Sequence, residues 1–101
     1  MTKRLDPLRP VHPGEILREE FLAPLGLTAY ALAASLHVPR TRIERLTREG
    51  TAVTPDTALR LSRYFGTTPD LWLGLQARYD LEVAAGAMAS ELAAITPRHA
   101  A

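Results

Sequence analysis

The sequence predicts an all-α fold of five helices with a helical C-terminal extension, and three features predict it. One is a repeated start signal. Thr54-Pro55-Asp56 and Thr68-Pro69-Asp70 each supply a hydroxyl N-cap, a proline for the first helical position and an acid for the first turn, and His12-Pro13 followed by Glu15 is a variant. The second is the recurrence of apolar residues at three- and four-residue spacing, the helical period. The third is punctuation: Pro24 with Gly26, and later Gly66, stand where apolar stripes end.

Residues 1–11 carry Pro7 and Pro10 and no periodic apolar pattern, which predicts an extended arm made cationic by Lys3, Arg4 and Arg9. The first helix then opens at Pro13. Glu15 falls at its third position, where a carboxylate can cap free N–H groups. Ile16, Leu17 and Phe21 line one side, and Leu25 and Leu27 are expected in the core beneath the following turn.

Thr28 is a natural N-cap for a second helix over about 28–36, whose Leu32, Ala33 and Leu36 form one apolar face. His37 falls where the helix must end in a left-handed residue, at a cost of about 1 kcal/mol. A third helix over about 39–48 follows, with Pro39 expected at its first position. With Ile43 set as the inward pole, Pro39, Leu46 and Thr47 lie within about 60° of it. Thr41, Arg45 and Arg48 fall within about 40° of the opposite pole, flanked by Arg42 and Glu44, with Arg40 projecting from the first turn.

After a loop over 49–53 around Gly50, the fourth helix buries Ala58, Leu61 and Phe65 and turns Arg60 and Arg63 elsewhere. The fifth starts with Leu71, Trp72 and Leu75 and runs through Tyr79 to Val83 with apolar residues on nearly every side. Such a helix needs more cover than one small core provides, so Leu71, Trp72, Leu75 and Tyr79 are assigned to a homodimer interface. The organisation expected is an arm over 1–11, a domain over 12–83, and an alanine-rich helix with a frayed end over 84–101.

With 101 residues, 47% of them hydrophobic, the chain suits one packed domain. It has no cysteine, which rules out disulfides and Cys-based zinc sites. His12, His37 and His99 are scattered, so neither a metal nor a cofactor is expected. No nucleophile with a base and no phosphate loop is present, so the sequence does not read as an enzyme. There is no run of 18 apolar residues and no signal segment, which points to the cytoplasm and away from a membrane. The net charge of +1 is too small to announce nucleic acid, but its distribution is uneven. Residues 40–50 hold four arginines against two glutamates, whereas residues 70–101 hold two arginines against four acids.

Two short helices joined by a tight turn, the second bearing arginines opposite its apolar stripe, form the arrangement that inserts a recognition helix into the DNA major groove. Arginine reads guanine O6 and N7 bidentately, and threonine can bond a base edge or touch a thymine methyl.

The stretch HPGEILREEFLAPLGLT, the Leu32-Ala33 pair, and TPDTALRLSRYFGTTPDLWLGLQARYDL together resemble HigA-type antitoxins, within the larger Xre/lambda-repressor-like helix-turn-helix group. The resemblance covers residues 11 to about 83. It implies a small dimeric repressor that binds double-stranded operator DNA and a HigB/RelE-like toxin, a ribosome-dependent messenger-RNA endonuclease. It also implies base reading by Arg40, Thr41 and Arg45, and secondary contacts from Arg42 and Glu44. Phosphate contacts would come from Thr28, Arg48 and the stretch from Thr51 to Thr54. Two departures stand out: Ala29 replaces a glutamine common in the family, and His37 replaces a common glycine. A stand-alone regulator without a toxin, or an interaction module with a degenerate helix-turn-helix, are the alternatives.

Overall fold

The computed structural model describes residues 9–98, so Lys3 and Arg4 of the arm and His99 of the tail lie outside the described residues. Among the described residues the protein is all helical. The first helix, α1, covers residues 13–25, with α-helical turns Pro13–Ile16 and Ala23–Leu25 flanking a π-helical stretch Leu17–Leu22. There follow α2 (Ala29–Leu36), α3 (Arg40–Thr47), α4 (Pro55–Phe65), α5 (Pro69–Ala87) and the short α6 (Ala89–Ala93).

The expected caps form at three helix starts. Thr28, Thr54 and Thr68 are N-caps whose side chains accept hydrogen bonds from the backbone N–H of Ala31, Thr57 and Leu71. At α1 the cap differs from expectation. His12 Nδ1 accepts from Gly14 N at 2.8 Å. Glu15 is instead a buried carboxylate, 1% exposed, whose oxygens meet the Arg9 guanidinium at 3.0 and 3.1 Å. Arg9 thereby ties the end of the arm to the domain. Pro39 is also displaced from its expected place: it is the N-cap of α3, with ψ 143°, and it is exposed, so it takes no part in the inward face.

The π-helical stretch ends at Leu22, two residues before Pro24. Proline donates no N–H and its ring collides with a carbonyl four residues back, so the chain widens before it, and Ala23 N–H bonds Arg18 O five residues back. Helix α1 then closes on Gly26 in the left-handed region, φ 64°. The expectation for Leu25 fails: it is 60% exposed, and Leu27 alone packs on the core from this turn.

Leu17, Leu32, Ile43, Leu61 and Trp72 are fully buried and draw on every helix from α1 to α5. Phe21 of α1 lies 4.8 Å from Phe65 of α4 and 5.0 Å from Trp72 of α5, ring centre to ring centre. This aromatic wedge corrects the assignment of Trp72 to a dimer interface. Trp72 is 0% exposed within the single chain and its Nε1 donates to Thr67 Oγ1 at 2.9 Å. Leu75 packs on the same core, and the partly buried Tyr79 presents its ring edge-on to His12 at 4.8 Å. Of the four residues, Leu71 alone is exposed.

Helix α5 passes residues 83 and 84 and Gly86 without a break and ends at Ala87. From residue 80 onward every described residue is exposed. Leu81, Val83, Met88, Leu92 and Ile95 therefore stand in solvent on a helical projection from the domain.

Candidate nucleic-acid interface

Helices α2 and α3 form the helix-turn-helix unit. His37 ends α2 with φ 60°, and Val38 N–H reaches back five residues to Ala33 O at 3.1 Å, closing the turn. At the far end of α3 the left-handed residue is Glu49, φ 63°, rather than Gly50, and Gly50 N–H bonds Arg45 O at 2.8 Å. Ile43 and Leu46 are buried against the domain, while Arg40, Thr41, Arg45 and Arg48 are exposed and Arg42 and Glu44 lie at the margins. Thr47, expected inward, is half-buried and donates to Glu44 O at 3.0 Å.

The four arginines of α3 and its C-cap are not equivalent. Arg40 pairs with Glu44 at 3.4 Å and stands 5.9 Å from the centre of the Tyr30 ring. Arg42 Nη1 bonds Asp56 Oδ1 at 2.6 Å. Arg45 and Arg48 have no ion-pair partner among the described residues, so their guanidinium groups present a full set of donors to solvent. Thr28 and Thr51 are exposed as well. Thr54 is exposed too, but its hydroxyl is engaged at the start of α4, where it also bonds Thr57 Oγ1 at 3.3 Å.

Several residues that hold this surface in place escaped the sequence reading. Gly14 abuts the end of α3 so closely that a Cβ there would lie 1.8 Å from Leu46 O. Arg18 reaches from α1 to α3, donating to Thr47 O and pairing with Glu49 at 3.3 Å. Gln76 of α5 is buried; its Oε1 accepts from Val53 N at 2.8 Å and its Nε2 donates to Asp80 at 2.9 Å, anchoring the loop after α3. Arg60, expected to turn away from the buried face of α4, donates to Leu36 O at 2.8 Å and to Asp56 at 2.7 Å. Asp56 thus accepts from two arginines, Arg60 foremost, and they hold its carboxyl below the usual range. Glu15 was expected as a cap, and Arg18 carried no signal of its contact with α3. Gln76 carried none.

His12 sits beneath this surface. Burial lowers its pKa, and that outweighs the opposing pull of Glu49, the Thr51 backbone and Asp80, while Arg18 adds to the lowering. The neutral ring suits its task as an acceptor for Gly14 N–H.

Among the described residues no group of three or more His, Asp or Glu side chains could hold a metal ion, and no helix is long and apolar enough to cross a membrane. An unpaired arginine pair on the outward face of a helix delivered by a tight turn is chemistry for a polyanion and for base edges.

Comparison with known proteins agrees with this geometry. The helix-turn-helix family model matches residues 17–72. Virulence-associated protein I of Dichelobacter nodosus is 57% identical over 74 residues, which are 73% of this chain and 68% of that one. Antitoxin HigA-1 of Vibrio cholerae is 41% identical over 80 residues, 79% of this chain and 71% of the other. The solved structure of the Pseudomonas aeruginosa antitoxin HigA with the higBA promoter superposes with a TM-score of 0.87 at 39% identity, covering 90% of this chain and 100% of that chain.

Proposed function

This chain belongs to the helix-turn-helix family, and on that premise we propose that it is a DNA-binding antitoxin of the HigA type that represses its own operon. The observation that carries the reading is the outward face of α3. Arg45 and Arg48 stand there unpaired, on a helix locked from behind by Gly14, Arg18 and Gln76. The homologous Pseudomonas aeruginosa antitoxin was solved with promoter DNA.

In this reading α3 enters the major groove. Thr41 and Arg45 read base edges with Arg40, whose guanidinium is steadied by Glu44 and Tyr30. Arg48 and the hydroxyls of Thr28 and Thr51 meet phosphates, and Arg42, Glu44 and Thr54 border the contact. No cofactor or catalytic step is involved. A homodimer presents two copies of α3 to successive major grooves, so the operator is an inverted repeat with half-sites about 34 Å apart. The exposed apolar side chains of the projecting α5 and α6, Leu81, Met88, Leu92 and Ile95 among them, supply the surface that a second copy covers. The toxin is a HigB/RelE-like messenger-RNA endonuclease neutralised by direct binding, and the encounter takes place in the cytoplasm.

Two measurements test this. Fluorescence anisotropy with the DNA upstream of the gene should show tighter binding than with a scrambled duplex, and a tagged copy should retain the product of the adjacent reading frame. Operator preference without a retained partner would leave a stand-alone regulator. Equal binding to both duplexes would refute the repressor.

A further inference from the structure

We propose that Asp56 is a specificity-determining residue: by holding Arg42 and Arg60 on one carboxylate, it keeps Arg42 from engaging the phosphates of arbitrary DNA. The inference deepens the repressor reading and rests on it. Arg42 lies at the border of the outward face of α3, one residue from exposed Thr41, with its side chain 39% exposed. Its Nη1 is bound by Asp56 Oδ1 at 2.6 Å, and Asp56 occupies the first turn of α4. The carboxylate is held against swinging away with Arg42, because Arg60 Nε bonds the same oxygen at 2.7 Å while Arg60 Nη1 donates to Leu36 O at 2.8 Å. One chain of hydrogen bonds therefore joins the end of α2, the start of α4 and the first turn of α3.

The consequence is electrostatic. To neutralise a phosphate, Arg42 must either leave Asp56 or bring that carboxylate toward the phosphate, and like charges oppose the second course. Non-specific binding depends almost wholly on phosphate contacts, so withholding one cation weakens it directly. On the operator, the register that Thr41 and Arg45 fix leaves no phosphate within reach of Arg42, whether it is paired or freed, so little changes there. Arg45 and Arg48, which have no such carboxylate, remain available to any duplex. Removing an acid beside a DNA-binding face would ordinarily strengthen binding to all sequences alike; withholding predicts a gain confined to non-operator DNA.

The test measures binding to the upstream operator and to a scrambled duplex at about 50 and 200 mM salt, where one further phosphate contact changes affinity about 3.5-fold. Asp56→Asn should bind scrambled DNA about threefold or more tighter at the lower salt and lose that gain at the higher, with operator affinity changed less than about twofold. In an Arg42→Ala background the same substitution should leave scrambled-DNA binding unchanged. Asp56→Ser, which keeps a hydrogen-bonding residue in the first turn of α4, should repeat the result, with circular dichroism confirming the fold of each variant. Equal gains on both duplexes, a gain that survives Arg42→Ala, or no gain at all would overturn the inference. A wild-type protein that does not prefer its operator would overturn the repressor reading and this inference together. Wild-type preference with unaltered discrimination in Asp56→Asn would overturn this inference alone.

Discussion

Replacing Gly14 with alanine puts two well-measured effects in opposition. Gly14 lies inside the first turn of α1 and its φ is not positive, so alanine suits its backbone and on helix propensity should stabilise the domain by up to about 1 kcal/mol. Its added Cβ, however, would sit 1.8 Å from Leu46 O and 2.9 Å from Leu46 C, where ordinary contact begins near 3.4 Å. The neighbour is backbone and cannot rotate aside, so α1 and α3 must part by more than an ångström. That movement is resisted by buried Leu17 and Leu46 and by Arg18 on Thr47 O and Glu49. Overpacking of this kind costs about 1–3 kcal/mol or more, so it outweighs the gain in propensity. We expect Gly14→Ala to be less stable by about 1–3 kcal/mol, with the melting temperature lowered by roughly 4–8 °C for each kcal/mol. Urea denaturation and calorimetry give both numbers. Operator affinity should also fall at temperatures well below the new midpoint, because the displaced contact bears on the last turn of α3. A variant as stable as the parent, or more so, would refute the claim that α1 seats the recognition helix by backbone contact.

Arg45→Ala should cost about 1–3 kcal/mol on the operator and relax preference at one position per half-site, whereas Arg48→Ala should weaken all duplexes alike and lower the salt slope by about 1; isotherms on operator and scrambled DNA separate them. Trp72→Ala should destabilise the protomer by about 3–5 kcal/mol as seen by urea denaturation, since a fully buried ring is lost, while Leu81→Glu with Leu92→Glu should keep the melting temperature of the monomer and reduce the light-scattering mass to 11.1 kDa. His12 gives a pH dependence of definite sign. Its folded pKa lies below the 6.5 of the unfolded chain, so its contribution is whole above pH 6.5 and is lost as pH falls toward the folded value, where only the unfolded chain takes up the proton. Urea midpoints should therefore fall as pH is lowered from neutral through 6.5. His12→Asn, which keeps a capping acceptor, should flatten that fall, and an unchanged slope would refute the assignment.

Much of this protein was legible along the chain because the signals are local. A threonine followed by proline and an acid needs no partner to start a helix, and Thr54 and Thr68 do so where the residues predict. Thr28 caps α2, His37 ends it in the left-handed region, and Leu32, Ala33, Ile43 and Leu46 are buried as their spacing requires. The outward placement of Thr41, Arg45 and Arg48 followed from the same period. What the tertiary structure decided is which element covers which face, because periodicity marks an apolar stripe without naming its neighbour. Trp72 went into the core of the chain because Phe21, far away in sequence, packs on it and on Phe65, and the surplus apolar surface moved outward to Leu81, Leu92 and Ile95. The need for glycine at position 14 was set by the carbonyl of Leu46, and the orientation of Arg42 by a carboxylate on the next helix. Both contacts exist only once α1, α3 and α4 have met. Glu15 shows the same limit: its spacing suits a cap, but close packing excluded water from its side chain and left the Arg9 guanidinium to balance its charge.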